Sequence, residues 1–260
     1  MVYLEANIME EKNKMAFPNF ENKHLEEALF HPSDFVKYKK LEHNKFPKDY
    51  IIIYDRKLYS RIKRIYPMKN YGTVMAHLIL HEYNGVGFLK LDGIGSPHAV
   101  TVFEELIALG GRRFLSLGTA GGLQNEGIFL CEKAVRDEGT SSHYAAHEKY
   151  SYPDKDLTAK LGKSMAKLGL EFKTATTWTI DAPYRETKAE IAHYKKEGVA
   201  TVEMEASALF AVAKYRKVKI ASAFVVSDVL GEKWDPKFHT MNLKKSLNKL
   251  IAAGFDCFGK

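Results

Sequence analysis

An α/β fold, a sheet with helices on both faces, is the class this sequence predicts, and three observations predict it. Runs rich in β-branched and aromatic residues alternate with apolar-periodic segments of about 10 to 15 residues. Several of the strand-like runs end in glycine clusters or acidic residues, the composition expected along the carboxyl edge of such a sheet. The 260-residue chain, 45% apolar and 12% aromatic, is long enough to bury one large core.

The elements follow in order. Residues 1–47 alternate polar and aromatic positions, with Pro18, Pro32 and Pro47 as punctuation, and read as an extension of short helical turns ahead of a single domain at 48–260. Strands are expected at 50–54, 73–80 and 86–91. Asn84-Gly85 between the last two is a hairpin dipeptide, so these two should pair antiparallel. The segment Pro97 to Leu109 has helical spacing, Ser96 as N-cap, Pro97 at the first helical position and Gly110-Gly111 as its stop. Strands are then expected at 113–118, 128–136, 172–180, 199–202 and 218–227, and helices at 155–168, 186–197, 205–216 and 240–253.

Charge and cysteine content narrow the function classes. Lys and Arg outnumber Asp and Glu by 39 to 32, but the signs interleave (EEKNK, RDEG, KYKKLEHNK), which describes a mixed solvated surface and not a nucleic-acid footprint. No stretch approaches the roughly 20 uninterrupted apolar residues of a membrane span. Cys131 and Cys257 are too few for a disulfide framework or a cysteine metal site, and MVYLEANIMEEKNK lacks a signal-type apolar stretch. A cytoplasmic protein without a metal is expected.

Ligands of α/β sheets collect beyond the carboxyl ends of strands. Five segments qualify: Asp92 to Pro97, Gly118 to Leu123, Trp178 to Tyr184, Glu203-Met204-Glu205, and Ser227-Asp228. A turn at Gly118 could direct backbone N–H groups at an anion, with the Thr119 hydroxyl as a further donor, although such turns alone are mostly tight connections. Glu203 and Glu205 flank a methionine at the start of an apolar helix. A carboxylate there can accept from the two hydroxyls of a cis-diol or simply favour the helix N-terminus. Asp228, if enclosed, can donate a proton to a leaving group; otherwise it caps a turn. Trp178 and Tyr184 are core aromatics or platforms for a planar ligand.

Taken together, GIGSP with EELIALG after it, LGTAGGL, AVRDEGTSSHY, TIDAPY, VEMEASALFAVA and VVSD, in this order between Asp49 and Leu230, resemble the nucleoside phosphorylase-I family. The resemblance implies a three-layer α/β/α sandwich around a mixed, partly barrel-like sheet, in a homo-oligomer (dimer or hexamer). It also implies a pentosyltransferase that cleaves a nucleoside to free base and ribose 1-phosphate, with orthophosphate as co-substrate and no other cofactor. By position it assigns Glu203, Met204 and Glu205 to the ribose, Trp178, Tyr184 and Arg185 to the base, Asp228 to protonation of the leaving base, and Arg61, Gly118 and Thr119 to phosphate. Two departures stand out. The family's Gly-Asp-Pro loop is replaced in YIIIYDRKLYSRIKRI, and Ser116 stands where a second phosphate-binding arginine is expected, leaving Arg56, Arg112 or Arg113 to compensate. The Gln and Arg with which uridine phosphorylases read uracil correspond to Thr187 and Ala189, so a purine is expected, with Arg185 still available to a pyrimidine carbonyl. The alternatives are a uridine phosphorylase, a hydrolytic nucleosidase and a non-catalytic nucleoside-binding protein.

Overall fold

The computed structural model describes residues 18–20, 22–42, 45–75 and 78–260. Its eleven strands form one mixed sheet flanked by seven α-helices among the described residues. Ahead of the sheet lie a short 3₁₀ turn at Lys23–Leu25 and helix α1 (Pro32–Tyr38), opened by a capping box between His31 and Asp34. Val36 and Phe35 of α1 reach the core.

Strand β1 (Asp49–Ile53) lies between β4 (Val86–Lys90) and β5 (Arg113–Gly122), parallel to both. Its run Tyr50 to Ile53 is at most 1% exposed, because an interior strand with helices on both sides must be apolar on both faces. Toward one face, Ile51 and Ile53 join Leu58 and Ile62 of α2 (Arg56–Ile65), Leu157 and Leu161 of α4 (Lys155–Lys167), and Leu247 and Leu250 of α7 (Met241–Cys257). Toward the other, Tyr50 and Ile52 meet Phe103 and Leu106 of α3 (Ser96–Ala108) and Leu209 and Val212 of α6 (Ala206–Arg216). Each such fully buried side chain contributes about 1.5–3 kcal/mol of hydrophobic free energy.

The expected hairpin forms between β3 (Leu78–Tyr83) and β4, with Asn84 and Gly85 at φ 50° and 82°, the left-handed pair of a type I′ turn. The run 73–80, expected as one strand, belongs to two: β2 (Lys69–Met75) and β3. The central ring explains the barrel-like character. β10 (Lys219–Leu230) pairs with β6 (Ile128–Asp137), β6 with β8 (Lys173–Ile180), β8 with β9 (Val199–Glu203), β9 with β5, and β5 with β10 again. β7 (Tyr150–Ser151) adds to β6, β11 (Trp234–Pro236) to β10, and helix α5 (Lys188–Lys196) covers β9.

One expectation changes in a way that matters for the site. Gly118 to Gly122 is not a turn but the second half of β5, held by β10 along its whole length. Its glycines admit close neighbours: a Cβ at Gly121 would lie 3.0 Å from Val202, and one at Gly122 2.5 Å from the Asn125 carbonyl. Among the described residues, no helix is long and apolar enough to cross a membrane.

Candidate active site

The site is a gap in the pairing of β5. On the side away from β10, β1 accompanies β5 as far as Ser116, and β9 begins at Gly121, so residues 117–120 have no strand beside them. The chain segments that follow β1, β4 and β9 supply the neighbours.

At one wall, the loop before α3 and the segment after β9 lock together. Gly95, at φ 90°, is the N-cap of α3 and aims its N–H at Glu205 Oε1, 2.6 Å away, while Ser96 Oγ donates to the Met204 carbonyl at 2.7 Å. Ser96 therefore ties two segments together, and the helix starts one residue earlier than expected. A carboxylate has about four acceptor sites, so Glu205 keeps lone pairs for further donors. Met204, partly exposed between two buried glutamates, lays its terminal methyl 3.8 Å from where a Gly95 Cβ would be.

Glu203 is placed otherwise. Its Oε2 accepts the backbone N–H groups of Glu205 and Ala206, each at 2.7 Å, and its Oε1 accepts the Thr179 hydroxyl at 2.5 Å. One oxygen holds the first turn of α6 and the other Thr179, so the structure places Glu203, expected at the ribose, as the carboxylate that anchors that turn. Burial pushes both glutamates up from the ordinary carboxylate range, and the Glu205 charge pushes Glu203 further.

On the other side of β5, at the level where β9 takes up its pairing, β10 carries a bulge between Val226 and Asp228 that sets Asp228 opposite Gly121. Asp228 Oδ1 accepts from Ser227 Oγ and Oδ2 from Trp234 Nε1, both at 2.8 Å. Asp228 is half-buried, not enclosed. Glu186, half-buried between the 3₁₀ turn Pro183–Arg185 and α5, is pushed up to about 7, chiefly by burial and then by the charges of Asp228 and Glu190. Neither Trp234 nor Glu186 was singled out by the sequence. A tryptophan six residues past Asp228 and followed two residues on by Pro236 is a faint hairpin signal; an acid in a polar loop carries none.

The remaining expected site residues separate. Trp178 has no exposed surface. It packs on Tyr194 with ring centroids 4.6 Å apart and donates Nε1–H to Asp137 at 2.8 Å, so it is a core residue and not a platform for a base. Tyr184 is fully exposed and Arg185 exposed, so neither is held against the gap. Arg61 is turned to α7, where its Nε donates to Asn248 Oδ1 at 2.7 Å. Arg113 makes two 2.6 Å hydrogen bonds to Asp49 at the start of β5, about 17 Å before Gly118 at the usual strand rise, and Arg112 is spent on backbone carbonyls beside it. Thr119 is exposed in the gap, whereas Gly118 is buried beneath the Tyr54 ring. Among the described residues no group of His, Cys, Asp and Glu side chains is arranged to hold a metal ion.

Comparison with known proteins agrees with this architecture. The description "Phosphorylase superfamily" matches residues 51–255. Curated relatives include a purine nucleoside phosphorylase of Plasmodium falciparum (29% identical, 64% of this chain and 69% of the relative) and a guanosine phosphorylase of Halorubrum lacusprofundi (29%, 52% and 57%). A uridine phosphorylase of Treponema pallidum is 30% identical over 52% of this chain and 58% of its own. The aligned stretch spans about 57–69% of these relatives' lengths. Among solved structures, an AMP nucleosidase of Bacteroides thetaiotaomicron superposes with a TM-score of 0.72 at 19% identity, covering 89% of this chain and 99% of that one. A purine nucleoside phosphorylase of Toxoplasma gondii, solved with immucillin-H, also reaches 0.72, at 17% identity over 89% and 96%. The family match runs from within β1 nearly to the end of α7 and takes in every segment that borders the gap in β5, and the chain therefore belongs to the phosphorylase superfamily.

Proposed function

We propose that this chain cleaves the N-glycosidic bond of a purine nucleoside, binding the substrate along the unpaired edge of β5. The observation that carries the reading is the placement of two carboxylates beside the second half of β5, Glu205 on its unpaired side and Asp228 on the side of β10. Glu205 has one oxygen fixed by Gly95 and lone pairs left to accept from sugar hydroxyls, and Asp228 is set opposite Gly121 by a bulge.

Breaking the bond leaves positive character on the sugar and an electron pair on the base. Glu205 and the Met204 thioether hold the pentose so that its developing charge faces a carboxylate. The base end is supplied with protons by neighbouring acids. Glu186, pushed up to about 7, still holds a proton where an ordinary carboxylate has lost it, and Asp228 faces the base with Trp234 and Ser227 fixing its orientation. A purine suits this end, because its imidazole nitrogen is the atom such an acid protonates. The relatives named for purine nucleosides and guanosine support that choice, and the uridine relative keeps uridine as the comparison substrate.

The test is release of base from inosine, guanosine, adenosine and uridine. Turnover of the purine nucleosides, falling about 10²-fold or more in Asp228→Asn, is the expected result. An unchanged rate in that variant removes Asp228 from the chemistry, and binding without turnover makes the chain a nucleoside-binding protein.

A further inference from the structure

The expected co-substrate, orthophosphate, would have to sit beside Gly118 and Thr119; Thr119 is exposed, but the Gly118 side of that place is already furnished. Tyr54, the first residue after β1, lays its ring on Gly118 so closely that a Cβ there would meet Tyr54 Cδ2 at 2.9 Å. Its hydroxyl is 2.7 Å from Ser116 Oγ, and Ser116 is 1% exposed. Burial and the charges of Glu205 and Glu203 push the phenol well above its usual range, so it stays neutral. Glu205, which keeps lone pairs for further donors, would also face an incoming phosphate, itself negatively charged.

Most cations that could offset this are engaged elsewhere. Arg61 is held by Asn248, Arg113 by Asp49 and Lys90 by Asp92, while Arg136 is held by Ser141 and the Ala146 carbonyl. Arg56, on the first turn of α2, is exposed, and its part is tested directly below. Water needs no cation, and a neutral hydroxyl pair near the Glu205 carboxylate is a suitable neighbourhood for it.

We infer that Tyr54 and Ser116 close the acceptor side of this site to orthophosphate and leave it to water, so that the nucleoside is hydrolysed. This rests on the cleavage reading above. The water oxygen bonds to C1′ and the C1′–N electron pair leaves with the base. The base takes a proton from the Asp228–Glu186 end, and the attacking water releases one to solvent, which restores the acid. The products are free ribose and free base.

Two measurements decide it. In the first, base release from inosine by the wild-type protein is followed with and without inorganic phosphate, and the sugar product is identified. Rates within about twofold and free ribose are expected; a rate that rises at least about tenfold and saturably with phosphate, yielding ribose 1-phosphate, overturns the inference while the cleavage reading stands. In the second, which needs no turnover, inorganic phosphate alone is titrated calorimetrically into the wild type, Thr119→Val and Arg56→Ala. No saturable heat, or heat that neither variant changes, is the expected result. Saturable binding that either variant abolishes overturns the inference, even if no nucleoside is ever cleaved. The double variant Y54G/S116R, which vacates the space and adds a cation, should gain phosphate binding if it folds.

Discussion

The two ends of the site along β5 are built on opposite principles. Around Asp228 the side chains are open and hydrogen-bonded to one another: a half-exposed carboxylate, a tryptophan 59% exposed, and a glutamate whose proton is exchangeable near neutrality. Around Tyr54 the Gly118 side is filled, with an aromatic ring on a glycine and a part-buried hydroxyl pair behind it. The first end is equipped to meet a varying, proton-demanding ligand, and the second to exclude one. Between them, the Gly95–Glu205 and Ser96–Met204 hydrogen bonds fix a wall that both ends share.

Four changes would break or sharpen this contrast, and the largest effect is expected from Asp228→Asn, which should reduce base release about 10²-fold or more with little change in stability, since the side chain is half-exposed. Glu205→Gln keeps the shape but removes a charged acceptor from the sugar. A fall in kcat/KM of about 10- to 100-fold is expected, the loss of one charge-assisted hydrogen bond, read from steady-state kinetics on inosine. At the closed end Gly118→Ala drives a methyl into the Tyr54 ring and should destabilise the fold by about 1–3 kcal/mol in denaturant unfolding, with Tyr54→Leu in the same chain restoring part of the loss. If Gly118→Ala proves as stable as the wild type, the ring is not seated there.

The smallest effect is a pH dependence. Glu186 has a folded value of about 7 against an ordinary 4.5, so between these values the folded protein binds the extra proton and stability falls as pH rises through the window. Glu186→Gln should flatten that part of a Tm-against-pH curve and shift the alkaline limb of activity, which otherwise declines above about 7. An identical pH profile in the variant would place the proton elsewhere.

How much of this was legible in the sequence depended on whether a residue's role is local. The β3–β4 hairpin was, because Asn-Gly turn chemistry is local, and so were most helices, through their periodicity and stops. The glycine run after Leu117 was visible but misread, since only the long pairing with β10 reveals that it continues a strand. The boundary between β2 and β3 was missed because TVMAHLIL contains no turn dipeptide. Within the site, Met204 and Glu205 could be picked out, but Glu203 and Glu205 look equivalent in sequence. They are told apart only by the strand end, which points Glu203 at Thr179 and the α6 backbone. Likewise Trp178 and Thr179 are neighbours on opposite faces of β8, both fully buried, and nothing in TTWTID says that one packs on Tyr194 and the other meets Glu203. Arg61, expected at phosphate, is found against Asn248 because that side of α2 packs on α7, a contact far apart in sequence.

The most direct test of the central claim is a crystal structure with a nucleoside bound. The ribose hydroxyls should lie within hydrogen-bonding distance of the Glu205 carboxylate, with Met204 against the sugar and the base reaching Asp228. A nucleoside seated instead in the cleft of about 1000 Å³ that Phe20, Phe35, Val100 and Tyr215 line, with Glu205 and Asp228 untouched, would contradict the account.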